Sequence, residues 1–389
     1  MQPNHPSRRV SKWTAVSLLV FVNILWGLSF PLTKTINLEV DQHFRILAHD
    51  SSSALRLSAA SWLILFRFTS AFILFWLIFP KIMRRATSAE WWAGTQIGTL
   101  FYIGLMLQIV ALATIPASRS GFLTSLVAVF TPLMAAVLLR VRPRFPVVLG
   151  VGIALLGVSV LTGLVVWTRS GMVLASDAWQ AWTTGDSLTT LGAIFFAGQI
   201  MLVDHYGKRL DAAALTPGMF ASTAVYALLT FCVASPMVPE ISSAGWIALG
   251  IQPRFWILIL TLSFLSSVVA FNLMNSYQHY VSASQAGIIY TLEPVCASAA
   301  AMVLPGLLSS AFGVQYANER MVMPMVVGGG LIVVANLVSL WPAPPTSSGS
   351  SVPDDGPLDV SEPRPDVSGQ RSGVSEQQFD VAPRRVNVG

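Results

Sequence analysis

The stretch Ala283-Ser-Gln-Ala-Gly-Ile-Ile-Tyr-Thr-Leu-Glu-Pro294 lies inside a long apolar run, yet it carries a carboxylate followed at once by a proline. An ionised side chain near the centre of a bilayer costs about 2.5–3.5 kcal/mol on insertion scales, so Glu293 needs a functional or structural reason. Pro294 adds a second cost. It frees a backbone carbonyl one turn earlier, which only neighbouring helices or a wet cavity can satisfy. Both costs point inward, to a cavity within a helical bundle.

The pattern also occurs earlier, as Ala117-Ser-Arg-Ser-Gly-Phe-Leu-Thr-Ser-Leu-Val-Ala-Val-Phe-Thr-Pro132, with small residues first and an intramembrane proline later. The prolines follow their leading alanines by 11 and 15 residues, a difference of about one helical turn, so they return to nearly the same face. The two stretches read as corresponding helices of two halves.

Composition sets the environment. Of 389 residues, 54% are hydrophobic and 11% charged, where a soluble domain carries about 25% charged residues. Apolar runs long enough to span about 30 Å of hydrocarbon recur along the chain, which makes it an integral membrane protein in contact with the lipid bilayer. The net charge of +5 resides in the short loops between runs, where it reports orientation and not a nucleic-acid partner. Cys232 and Cys296 both fall in apolar segments and read as small hydrophobes, so no metal, redox or other cofactor role is assigned to them.

The runs fall at about 13–35, 58–79, 92–112, 118–139 and 145–166, then 185–204, 214–235, 256–278, 284–304 and 322–340. The fold expected is therefore all-α, with ten transmembrane helices arranged as two inverted five-helix repeats. In this layout residues 1–12 form an N-tail, 13–167 the first repeat, 168–187 an outer connecting loop, 188–341 the second repeat and 342–389 a C-tail. The tail's Pro, Ser, Gly, Asp and Arg content is too poor in apolar residues to fold. With a cytoplasmic N-terminus, the inside segments up to the fourth hold eleven Lys and Arg residues and the outside loops six. That bias places both termini in the cytoplasm of a cell whose plasma or inner membrane the chain spans. Five spans per half give the halves opposite orientations, the plan of many secondary transporters with a midplane site.

Arg67 lies about nine residues from the outer end of its run and Glu293 about nine from the inner end of its own, so both sit near the midplane. They read either as a structural ion pair or as groups that meet substrate or a coupling proton. Lys34 is close enough to the outer end to snorkel. Trp26 sits mid-run beside Gly27, where it either fills a helix crossing or lines a substrate path. Gln108, Thr131 with Pro132, Asn272 and Tyr290 complete the candidate pathway, and residues of these types also glue helices together. Gln199, Asn275, Gln278 and Thr291 carry the same softer signal. His43 and His49 share a loop without carboxylates in helical register, a weak metal signal. No phosphate loop, zinc helix or nucleophile elbow occurs, which argues against autonomous ATP hydrolysis and against an enzyme. A membrane sensor or structural partner, and an intramembrane enzyme acting on lipid-linked substrate, are the alternatives to transport.

These residues also carry a family likeness. Leu25-Trp-Gly-Leu-Ser-Phe-Pro-Leu-Thr-Lys34 resembles the first-helix signature of the EamA-type members of the drug/metabolite transporter superfamily. Arg67, Ser120-Gly-Phe-Leu-Thr-Ser125 with Pro132, Gly150-Val-Gly-Ile-Ala-Leu-Leu-Gly157, Gly185-Asp186, Leu292-Glu-Pro-Val295 and Gly328-Gly-Gly-Leu-Ile332 follow in the family's order over residues 13–341. The resemblance implies a ten-helix inverted repeat that exports small polar metabolites, amino acids or related compounds, across the bacterial cytoplasmic membrane without ATP. Two departures stand out. Val141 occupies the place of the family's acid after the fourth helix, and the acid after the ninth is reached only at Glu319, beyond an apparent insertion over 305–318. Neither place supplies a site candidate.

Overall fold

The computed structural model describes residues 11–46, 52–138, 140, 142–168, 171–174, 181–281 and 289–340. The tail beyond residue 342, His49, and residues 283–288 of the stretch that opened the sequence reading lie outside them.

Helix α1 spans Lys12–Phe44, begins at a Ser11 cap that accepts from the Trp13 amide, and ends on Arg45 in the left-handed region. It runs nine residues past the expected end at 35. The polar residues there face protein and not solvent: Asn37 donates to the Ile109 carbonyl at 3.0 Å and Asp41 pairs with Arg56 at 2.5 Å. Arg56, one of the six cations counted in the outside loops from the sequence, is part of α2, Ser53–Ile78. The short basic α3, Pro80–Arg85, leads into α4, Ser88–Leu112, which starts on a reciprocal Thr87–Glu90 capping box.

The fourth apolar run is broken. Ala117–Thr124 forms α5 and Val127–Leu138 forms α6, with Ser125 and Leu126 between them. Helix α7, Phe145–Leu161, stops short of the expected 166 because Gly163, at φ +82°, turns the chain out of the helix. Val165–Thr168 then pairs antiparallel with Gly171–Leu174 as β1 and β2, so the all-α expectation needs correcting by one hairpin. The connecting loop also ends earlier than 187. Helix α8, Thr184–Gly207, opens on a Thr183–Asp186 capping box and takes Gly185 and Asp186 into its first turn.

Helix α9 covers Leu215–Ala234 and the short α10 Ser243–Gly250. The eighth run is α11, Pro253–Thr261, and α12, Ala270–Tyr277, joined without interruption by a π-type segment over Leu262–Val269. Helix α13, Glu293–Phe312, continues through Pro305, so the first eight residues of the apparent insertion are helical. Proline lacks an amide to offer the carbonyl four residues back. The Glu319 amide takes that place, donating to the Ala301 carbonyl at 2.9 Å, and Asn318 Oδ1 accepts from the Gly306 amide at 2.6 Å. The segment after α13 thus lies back along its helix. Helix α14, Met323–Ser339, ends the described chain.

Eight of these units are long and apolar enough to cross a membrane, and α7 and α14 are shorter apolar helices of 17 residues each. The protein is a multi-pass membrane protein whose described residues are mostly helical. Helix α1 packs on α13 and on the π-type segment with α12; α8 packs on α4 and on α5–α6; α2 packs on α9 and on the α11–π unit; α4 packs on α9; α7 packs on α14. Gly27 permits the closest approach of α1 to α13. A methyl group at its Cα would lie 2.6–2.8 Å from Cys296 and the Ala297 amide, too close for any side chain without backbone movement.

Candidate functional site

A cavity of about 860 Å³ lies within the bundle, lined from α1, α2, α4, α5, α6, α8, α12 and α13, within the range of metabolite pockets at about 300–1,000 Å³. Trp26, Arg67, Gln108, Thr131, Tyr290 and Glu293 all line it. Four other candidates do not. Lys34 lies beyond one end, where its ammonium donates to the Ile115 carbonyl. Pro132 shapes α6 from outside the lining, Asn272 is half-buried among helices, and Pro294 is buried against Gly121 of α5. None of these four side chains forms the cavity wall.

Arg67 is 5% exposed. Its Nε donates to Ser267 Oγ at 3.1 Å and its Nη2 to Ser266 Oγ at 2.7 Å, both from the π-type segment. The ion pair with Glu293, one of the two readings, does not occur: among the described residues the only ion pairs are Arg56–Asp41, Arg119–Asp186 and Lys208–Asp204. The reason is geometric. Two serine hydroxyls already hold the guanidinium from the α11–α12 side, while Glu293 enters the cavity from the first turn of α13. There the partial positive charge of the helix N-terminus favours a carboxylate. Among the described residues no hydrogen bond to the Glu293 carboxylate is present.

An aromatic wall stands beside these charges. The Trp26 ring lies 5.5 Å from Phe271 and 5.9 Å from Tyr290, whose hydroxyl donates to Gln278 Oε1 at 2.9 Å. Gln108 donates to Thr124 Oγ1 at 2.8 Å, and Thr131 back-bonds to the Val127 carbonyl of its own helix, α6, at 2.7 Å. Ser29, Thr33, Thr124, Ser125, Gln199 and Gln278 supply further polar lining. Of these, only the two glutamines stood out in the sequence; short hydroxyl residues in an apolar run carry no such signal.

The two ends of the cavity differ. One opens among Asp204, His205, Lys208 and Arg209 at the end of α8, with Leu138 and Leu340 nearby. The far end is sealed by contacts the sequence did not reveal. Arg119 of α5 holds the fully buried Asp186 through Nε at 2.6 Å and also donates to the Ala181 carbonyl at 3.1 Å. Glu319 caps α5, accepting from the Ala117 amide at 2.7 Å, from the Ser118 amide at 3.3 Å and from the Ser118 hydroxyl. Burial, with the Glu319 carboxylate as the second cause, pushes the neighbouring Tyr316 hydroxyl above the usual tyrosine range. His43, read as a loop residue, sits at the end of α1 with its ring between the Gly245 carbonyl and Gln252. Among the described residues no cluster of His, Cys, Asp and Glu could hold a metal ion.

A helical membrane bundle around one polar-ended cavity is the architecture of a transporter, and comparison with known proteins agrees. Residues 183–341 match the EamA-like transporter family. An uncharacterized transporter of Archaeoglobus fulgidus is 24% identical over 321 residues, 82% of this chain and 83% of that protein. A solved crystal structure covers 85% of this chain and 97% of its own at 16% identity, with a TM-score of 0.47. The family match and the transporter relative bear out the resemblance read from the sequence and support a transporter of the drug/metabolite type. Such a protein takes a small-molecule substrate and lies in a membrane.

Proposed function

We propose that the protein is a secondary exporter of small zwitterionic metabolites of the amino-acid class, working by alternating access across the cytoplasmic membrane. The observation that carries this reading is the placement of Arg67 and Glu293 in one cavity beside an aromatic wall, with no ion pair to either among the described residues. A guanidinium recognises a carboxylate, a carboxylate recognises an ammonium, and the Trp26, Tyr290 and Phe271 faces suit an apolar side chain or the flank of a cation. Glu293 can hold a substrate ammonium or a proton but not both, so binding of one displaces the other. That competition is a route to proton-coupled exchange.

Ten spans in two inverted repeats fit the helix pairings. Taking α1, α2, α4, α5–α6 and α7 as spans one to five and α8, α9, α11–α12, α13 and α14 as six to ten, exchange each span with the one five places on. The pairing 1–9 becomes 6–4, 3–6 becomes 8–1 and 3–7 becomes 8–2, while 2–7 and 5–10 map onto themselves; all of these pairs are in contact. Two halves of like fold are expected to show this exchange symmetry, and five spans per half would give them opposite orientations. With both termini cytoplasmic, the open end among residues 204–209 faces the cytoplasm, the loading state of an exporter.

Counterflow in proteoliposomes tests the reading: preloaded L-phenylalanine should drive uptake of labelled L-phenylalanine, and phenylethylamine and phenylpropionate, each keeping one charge, should inhibit more weakly than L-phenylalanine. No counterflow with any of the twenty amino acids would overturn it. For the orientation, Ser52→Cys in a background with Cys232 and Cys296 replaced should react with an impermeant maleimide in intact cells. Labelling only after lysis reverses the assigned sides.

A further inference from the structure

The π-type segment Leu262–Val269 has a signature that an uninterrupted α-helix lacks: the Ala270 amide reaches back to the Leu265 carbonyl, five residues away. Such wide turns inside α-helices occur often at functional sites. Here the segment lies opposite the middle of α2 and presents three serines to a single residue. Ser263 Oγ lies between the Arg67 carbonyl at 2.8 Å and the Ile259 carbonyl of its own helix at 2.7 Å, which share its one proton, while Ser266 and Ser267 accept from Arg67 Nη2 and Nε. Successive residues of an α-helix leave the axis about 100° apart. A wider turn narrows that angle, which lets two adjacent hydroxyls meet one guanidinium edge.

The direction of these bonds is fixed. Ser266 Oγ donates to the Leu262 carbonyl of its own helix at 3.1 Å, so toward Arg67 it acts as an acceptor. Two hydroxyl oxygens therefore occupy the Nε/Nη2 edge of the guanidinium, the edge on which a carboxylate makes a bidentate pair. They supply a carboxylate's hydrogen-bond geometry without its charge. Among the described residues, the Nη1 hydrogens and the second Nη2 hydrogen have no acceptor, on a side chain that lines the cavity.

We propose that Ser266 and Ser267 are positioning residues which hold Arg67 in one orientation while leaving its charge uncancelled for the carboxylate of the substrate. The inference rests on the zwitterion reading above and adds the device that makes Arg67 selective. A buried arginine tied down by a protein carboxylate would be equally rigid, and it would have no net charge left to offer.

The test separates charge from packing. Ser266→Asp gives Arg67 a carboxylate partner: the protein should melt no lower than wild type, KM for L-phenylalanine should rise at least 30-fold, and inhibition by phenylethylamine, which has no carboxylate, should stay within about twofold. Ser266→Ala with Ser267→Ala frees the guanidinium, so KM should rise about tenfold with Vmax held within about twofold. Ser266→Thr keeps the hydroxyl and should restore wild-type KM, which guards against loss of folding in the other variants. If Ser266→Asp transports L-phenylalanine with wild-type KM while Arg67→Met does not, the serines are only a packing tie and the inference is overturned. If Arg67→Met itself transports normally, it is the underlying reading of Arg67 that fails.

Discussion

At the 204–209 end of the cavity, Lys208 meets Asp204 at 2.6 Å with both side chains largely in the open. At the other end Arg119 grips an Asp186 that is 0% exposed and Glu319 caps α5. Similar charges are used in opposite ways. Exposed pairs one turn apart contribute about 0.3–0.5 kcal/mol and dissolve readily into water. A buried pair can neither be hydrated nor dispensed with while that end stays shut. On the alternating-access reading proposed above, the open end yields to a solute and the sealed end holds α5 to α8 and to the segment after α13 until something offsets its contacts. In an alternating-access cycle the sealed contacts are those that must break, because the 204–209 end is already open.

The largest expected effect falls on the buried pair. Arg119→Ala leaves the Asp186 carboxylate buried with only its capping donors, at a cost of about 3 kcal/mol. Its melting temperature in detergent should fall by several degrees, whereas Lys208→Ala should change stability by less than about 0.5 kcal/mol. Replacing both members as Arg119→Met and Asp186→Asn should recover most of the loss. Equal melting of the Arg119 and Lys208 single variants would remove the distinction between the two ends.

Next comes the cavity floor. Glu293→Gln is nearly isosteric and should insert normally, but it gives up a charged hydrogen bond of about 1.5–3 kcal/mol to the substrate ammonium, or roughly 10- to 150-fold in transport. Counterflow of L-phenylalanine should drop by that factor. The residual exchange should no longer respond to an imposed pH gradient, because Gln carries no proton. A variant that keeps wild-type rate and wild-type pH response excludes Glu293 from both roles.

Much of this is legible in the sequence. Glu293 and Arg67 stand out because a charge in an apolar run is expensive, and that cost has the same cause wherever the chain places it. Trp26 and Tyr290 were legible as mid-run aromatics with a polar handle. Pairing was not legible. Which partner a midplane charge takes depends on helix rotation and on local winding, and nothing in Leu262-Ser-Phe-Leu-Ser-Ser267 announces a π-type turn. The sealed end was hidden for another reason: Arg119 and Arg56 look like loop cations, and only tertiary contact turns them into buried partners. The apparent insertion misled because Pro305 signals a helix end, while in the fold the Glu319 amide takes over the carbonyl that Pro305 leaves open.

The smallest expected effect concerns that same residue, and it sharpens the comparison most. Glu319 is held by its backbone to α13, through the Ala301 carbonyl, and by its carboxylate to the start of α5, so one residue fastens two helices of different halves at the sealed end. Glu319→Gln keeps the backbone bond and the side-chain length. It replaces one of two acceptor oxygens with a donor that faces the Ser118 or Ala117 amide, and it removes the negative charge from a helix N-terminus, at a cost of about 1 kcal/mol. The loss applies only while the end is shut, so it should raise the share of molecules open at that end about fivefold, the factor that about 1 kcal/mol represents. Ser29 lines the cavity and serves as the reporter. With Cys232 and Cys296 replaced, Ser29→Cys should react with an impermeant maleimide from outside about fivefold faster when Glu319 is Gln. Deleting the Lys208–Asp204 pair instead should leave that rate unchanged, since those groups are solvated in either state. If Glu319→Gln lowers the melting temperature with no change in outside labelling, its cap fastens α5 in both states, and the holding contact of the sealed end is the Arg119–Asp186 pair alone.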